Sequence, residues 1–289
     1  RGAGVVPARS AMAAAATMLA GVDRWVWDVR SFWADQKVAT GVMAAGSPQM
    51  RVMRWVERLA ARRSTAVTTL TASAIDELDR RYGEVVSSKA RVVTTCVDLD
   101  RFVPSRPPPG PLRVLLAGTV NRYYDVESML DLVAELRRRG PVEFIVASPG
   151  DTAWEDELDA VEASRVSATP FEMAALVSSC HVGLSVCRDD AGSSLLAAMP
   201  TKIGEFLASG RPVIVNPGLV DAVELLRGNR CGIAYGSSLG LDVVNAVDQL
   251  RELLADPGTT ERCRSLAVSH FDLDRGVDSL FDVYAALSQ

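Results

Sequence analysis

Lysine is scarce in this chain of 289 residues: Lys37, Lys89 and Lys202 stand among 31 basic side chains. Histidine is scarcer, with His181 and His270 alone: His181 opens an apolar strand-like run and His270 precedes the last helix. A Ser/His/Asp or Cys/His catalytic site is therefore not expected. The five cysteines, Cys96, Cys180, Cys187, Cys231 and Cys263, are odd in number and scattered, without a CxxC pair. That pattern excludes a disulfide scaffold and argues for reduced thiols in a cytoplasmic protein. No apolar run approaches the roughly 18–20 residues of a membrane span. The longest, Ala11–Val22, is rich in alanine and is expected to be a buried helix rather than a signal-peptide core. A GxGxxG fingerprint is also missing.

What is present is the composition of a globular protein, 48% hydrophobic and 23% charged. The net charge of -5 conceals an asymmetry. Residues 1–104 carry 15 basic and 10 acidic side chains, and residues 105–289 carry 16 and 26. A nucleic-acid partner is not expected from this balance. Short Val-rich runs alternate with longer helical patterns. Strands are expected at Trp25–Trp27, Ala66–Leu70, Ala90–Thr94, Arg113–Gly118, Val142–Ala147, His181–Val186, Pro212–Val215 and Gly232–Tyr235. Helices are expected at Gln49–Arg63, Ser73–Arg81 and Val126–Arg139. Such alternation predicts an α/β protein with parallel sheets. The sole proline cluster, 105–111, reads as a linker between two domains. The expected division is 1–104, 105–270 and a last helix at 271–289.

The sharpest segment runs from Met199 to Val215. Pro200 suits a first helical turn and Gly210 a C-terminal cap. Lys202 then falls in the first turn, where the helix dipole disfavours a cation, and a bound anion would offset that cost. Glu205 lies on the same face and can accept hydrogen bonds from a ribose. A surface Lys–Glu pair is the alternative. Just upstream, amides around Ser193, Ser194, Leu195 and Leu196 can hold a phosphate or form a plain loop. At another strand end, Gly118, Thr119 and Arg122 face the next helix, and Arg122 is either a diphosphate partner or a solvated arginine.

Together these stretches resemble the retaining glycosyltransferases of family 4. The carriers are Thr95–Pro104, with Val97, Asp98, Phe102 and Pro104 in order, and Pro200, Lys202, Glu205, Phe206, Leu207, Ala208, Gly210, Pro212, Val213 and Ile214. Phe271–Ala286, with Leu280 and Tyr284, resembles the family's last helix. Over 1–94 the likeness rests on Trp27–Arg30 and Leu70–Ser73. The resemblance implies a GT-B fold of two Rossmann-like domains with a nucleotide-sugar cleft between them. It implies transfer of a sugar from a nucleotide diphosphate sugar, with retention, to a glycan or lipid-linked acceptor, as in polysaccharide biosynthesis.

Under this resemblance Lys202 and Arg122 neutralise the departing diphosphate and Glu205 holds the ribose. Gly118, Thr119, Thr201 and Ser193–Leu196 complete the donor site. No metal and no cofactor beyond the donor substrate are implied, and Asp98-Leu-Asp100 is read as a junction turn. The sequence departs from the family at Ala197, where a first glutamate is usual, and lacks a K-G pair after Gly118. The chain opens on Arg1, and the opening strands and acceptor loop of the family's first domain are not in it. An incomplete N-terminal domain is the expectation. Asp28 and Arg30 are acceptor-side candidates or an internal salt bridge. Alternatives on the same fold are a non-catalytic nucleotide-binding module and a sugar-nucleotide epimerase; a phosphorylase would need one of the three lysines for pyridoxal phosphate. In 49–63, Arg51, Arg54, Arg58 and Arg62 beside Val52, Val56 and Leu59 make a basic amphipathic helix. It packs on the sheet or lies on an anionic membrane as a peripheral contact.

Overall fold

The computed structural model describes residues 4–150, 154–236 and 240–288. They form two units. The first comprises Arg1–Thr95, Asp190–Met199 and Asp274–Gln289, and the second Cys96–Asp189 and Pro200–Leu273.

The first unit holds a parallel sheet in the order β1-β2-β3-β4, formed by Val6–Arg9, Trp25–Val29, Ala66–Thr69 and Ala90–Val92. Strand β1 was not evident from sequence because it contains Pro7; as an edge strand it tolerates the missing N–H. The connections are α1 (Ser10–Leu19), α2 (Trp33–Ala39), α3 (Pro48–Arg63) and α4 (Ala72–Tyr82). Helix α1 corrects the expectation of a buried helix: only Ala11, Ala14 and Thr17 are buried, and Met12 and Leu19 face out. Alanine's small side chain lets one stripe pack closely while the rest stays exposed. Trp25, Trp27, Phe32 and Leu78 anchor the core. The C-terminal helix, Leu273–Ser288, buries Val283 against Val26 and Ala66.

The second unit is a six-stranded parallel sheet, all of whose pairings are parallel. In chain order its strands are β5 (Leu112–Ala117), β6 (Val142–Ala147), β7 (Ser164–Val166), β8 (Val182–Ser185), β9 (Val213–Val215) and β10 (Gly232–Ala234). The spatial order is β10-β9-β8-β5-β6-β7. Its helices are α5 (Val126–Arg139), α6 (Glu155–Ala160), α7 (Pro170–Ser178), α8 (Thr201–Ala208), α9 (Val220–Gly228), α10 (Val243–Ala255) and α11 (Thr259–His270). Central strands β8 and β9 are buried at every position, and β9 accordingly reads as an unbroken apolar run. Asp125 caps α5 through Ser128 N, and three arginines end it, in accord with the helix dipole. Thr169 and Glu172 form a capping box on α7. Segment 105–111 is fastened by fully buried Arg211, which donates to Ser105 O at 2.9 Å, Ser105 Oγ at 2.6 Å and Arg106 O at 3.3 Å.

Candidate donor site

The chain leaves β5 toward β6 and β7, then returns to β8 on the other flank and proceeds to β9 and β10. The order therefore reverses between β5 and β8, and ligands in open α/β sheets bind beyond the carboxyl ends of strands at such a point. The two strand ends are stitched together there. Asp125 N donates to Val186 O at 3.2 Å and Arg188 N to Tyr123 O at 2.9 Å, and Tyr124 and Cys187 form an antiparallel bridge.

Helix α8 delivers Lys202 to this place. Pro200 occupies the N-cap and offers no side-chain cap, so Lys202 sits in an uncapped first turn, as the sequence indicated. Gly210, at φ +75°, takes the left-handed position after the helix. The Lys202 ammonium donates to Tyr124 Oη at 2.7 Å and lies 4.4 Å from the ring centroid. A Cβ on Gly118 would stand 3.5 Å from Lys202 Nζ, so the ammonium rests over the backbone at the end of β5. With φ at +110°, Gly118 has a backbone that side-chain-bearing residues rarely adopt. Cys187 beside it is kept a neutral thiol, pushed up to about 12 by burial against a smaller opposing pull from Lys202.

Glu205 is half-buried one turn on. Burial raises its carboxyl above the usual range, and Arg101 and Lys202 offset part of that. No Lys202–Glu205 ion pair forms, which removes the surface-pair alternative. Arg101 stacks on Phe102 and donates to Pro170 O, while its Nε is buried without a partner among the described residues. Arg101 lies within the stretch Thr95–Pro104, where nothing in the sequence marks it out. Tyr124 is equally unmarked in the sequence, since its partnership with Lys202 spans 78 positions.

Thr119, Arg122 and Thr201 are exposed in the same unit. Farther along the sheet edge, Asn216 donates to Asp189 and accepts from Gly218 N at 2.6 Å. Ser193, Ser194, Leu195 and Leu196 belong to the first unit, in the 3-10 stretch Asp189–Ala197, which breaks at Gly192. There Ser194 Oγ donates to Ala191 O at 2.7 Å, Leu195 is buried, and Leu196 O accepts from the Thr71 hydroxyl.

Asp28 and Arg30, also in the first unit, pair with each other at 2.9 Å through both carboxylate oxygens, and Thr68 Oγ1 donates to Asp28 at 2.8 Å. The internal salt bridge weighed from sequence is thus formed. Asp98 accepts from Asp100 N and Arg101 N at 3.0 and 3.1 Å, the geometry of a turn. His181 Nδ1 accepts from Arg113 N at 3.0 Å, a structural role. On α3, Arg51, Arg58 and Arg62 are exposed with Val52 and Trp55, at 58% and 60% accessibility. Arg54 departs from the row read in sequence and pairs with Asp35 and Glu57 instead.

No protein-family model matches the chain, and no curated protein does. Solved structures do. Sucrose-phosphate synthase from Thermosynechococcus elongatus superposes with a TM-score of 0.72 at 15% identity, over 98% of this chain and 73% of that one. HepE of Anabaena, solved in complex with UDP, gives 0.70 at 13% identity, over 98% and 79%. WaaG, a glycosyltransferase involved in lipopolysaccharide biosynthesis, gives 0.65 at 14%, over 92% and 80%. At these identities the likeness is one of fold, and the fold is that of the GT-B glycosyltransferases: α/β, with two parallel sheets. Among the described residues no helix is long and apolar enough to cross a membrane.

Proposed function

We propose that this chain is a retaining glycosyltransferase that takes its sugar from a nucleotide diphosphate donor, with uridine as the base. One observation carries the reading. Lys202, a half-buried cation in an uncapped helical turn at the sheet's switch point, has a neutral tyrosine and no carboxylate as its hydrogen-bond partner. That is an arrangement awaiting an anion. The fold shared with UDP-bound HepE supports the donor class. The match from Pro200 to Ile214 with retaining family 4 enzymes supports retention.

In this reading the diphosphate lies over Gly118, with Lys202 and exposed Arg122 on its oxygens and the amides at Thr119 and Thr201 nearby. As the glycosidic bond breaks, negative charge collects on the departing diphosphate. Lys202 then interacts more strongly in the transition state than in the ground state, which is the condition for catalysis. Glu205 holds the ribose. The acceptor is a glycan or lipid-linked sugar. The exposed Arg51, Val52, Trp55, Arg58 and Arg62 on α3 support a peripheral contact with an anionic bilayer carrying it.

The test is a thermal-shift screen with UDP, GDP, ADP and their glucose conjugates, followed by donor hydrolysis. Selective stabilisation by uridine nucleotides with release of UDP from a UDP-sugar is expected. Stabilisation without turnover, with or without added acceptor, would make the chain a binding module. No stabilisation by any nucleotide would remove the donor site.

A further inference from the structure

We infer that Tyr124 is a positioning residue: it holds the Lys202 ammonium over Gly118 before any ligand arrives, so that the cation is preorganised for a diphosphate. The inference rests on the reading of Lys202 as the diphosphate's cation. Tyr124 has little freedom of its own. Its N–H closes a turn on Asn121 O at 3.0 Å, and its backbone bridges Cys187. The next residue, Asp125, caps α5 through Ser128 N at 3.0 Å. Tyr124 packs against the hydrophobic core of the second unit, a cluster whose members include Val126 and Val186. A pinned backbone and a packed ring thus present both a hydroxyl and a ring face to one flexible lysine, at 2.7 and 4.4 Å.

A lysine stem has four rotatable bonds, and ordering it during binding costs affinity. Tyr124 meets that cost during folding instead. It does so without a negative charge, so the field of the ammonium stays available to an incoming anion, which an aspartate at this place would cancel. The phenol accepts one of the three ammonium protons and leaves two for phosphate oxygens.

A double-mutant cycle on UDP affinity, with uridine affinity and melting temperature measured alongside, tests this. Tyr124→Phe keeps the ring and the packing and removes the acceptor; UDP affinity should fall about threefold. Tyr124→Leu removes both contacts, and about tenfold is expected. Uridine affinity should change with neither. In a Lys202→Ala background both Tyr124 effects should vanish. If Lys202→Ala weakens UDP binding but Tyr124→Phe and Tyr124→Leu do not, the positioning role is overturned and the donor site stands. If the Tyr124 effects persist in the Lys202→Ala background, Tyr124 contacts the ligand directly and the inference is wrong. If Lys202→Ala itself leaves UDP affinity unchanged, the functional reading fails and this one with it. Equal losses of UDP and uridine affinity would mark a structural role for Tyr124 and also overturn it.

Discussion

Lys202 and Glu205 stand one turn apart on α8, yet no ion pair joins them: Lys202 reaches back to Tyr124, and the positive charge that bears most on Glu205 is Arg101. Two opposite charges on one helix face have thus been given separate neighbours. A surface pair would have spent them on each other. Under the proposed function they grip different parts of one ligand.

Glu205 should make nucleoside binding depend on pH. Burial raises its carboxyl above the ordinary 4.5, with Arg101 and Lys202 pulling the other way. Ribose hydroxyls donate to the ionised form. Uridine affinity is therefore expected to be full near neutral pH and to fall as the solution is acidified through the raised value. Glu205→Gln should flatten that profile. The stability sign is opposite. Above 4.5 the unfolded chain has lost the proton that the folded chain still holds, so Glu205 costs stability as pH rises. Melting scans at neutral pH should find Glu205→Gln more stable than the parent protein.

The seat of α8 on the sheet leaves no room for a methyl group at Gly183. A Cβ there would come 2.2 Å from the ring of Phe206, which is fully buried. Gly183→Ala should cost about 1–3 kcal/mol. Chemical denaturation would show the loss as a lower midpoint with an unchanged slope.

Arg211 is buried without a carboxylate among its hydrogen-bond partners, and desolvation draws its guanidinium below its ordinary value. Arg211→Met removes the ties to Ser105, Arg106 and Ser178. A loss of about 1.5–3 kcal/mol is expected. Limited proteolysis should then cut faster within 105–111, and an unchanged cleavage rate would show that the segment is held by other means.

How much of this was legible beforehand depended on range. Helix α5 and strand β6 fall where their patterns place them, because Asp125 at the cap and the apolar run Phe144–Ala147 are local signals. The first turn of α8 was readable from Pro200 and Gly210 for the same reason. Tyr124 was not, since nothing near it in sequence announces a lysine 78 positions away. Arg54 looked equivalent to Arg51 and Arg58 by helical period. Asp35, on another helix, turns it inward. Arg211 falls at an unspecified position between Gly210 and Pro212 of the matched segment, although its burial against Ser105 fixes a proline-rich segment.

That inward turn divides the arginines of α3 into two experiments. Arg51, Arg58 and Arg62 replaced together by glutamine should abolish co-sedimentation with anionic vesicles at low salt and leave the melting temperature unchanged. Arg54→Gln should lower the melting temperature, because Asp35 and Glu57 lose a partner, and should leave vesicle binding intact. Absence of binding by the parent protein at low salt would end the membrane proposal.

Whether one helix reads two parts of a nucleotide is decided by calorimetric titration of uridine and UDP into Lys202→Ala and Glu205→Gln. Lys202→Ala should weaken UDP by roughly tenfold or more and leave uridine unchanged, as expected for the loss of one charge-assisted contact to phosphate. Glu205→Gln should weaken both ligands alike, because both carry the ribose. In turnover, Lys202→Ala should lower kcat by about 10²-fold or more, and Glu205→Gln should act chiefly on KM. Unchanged UDP affinity in both variants would contradict the account and move the donor site elsewhere on the chain.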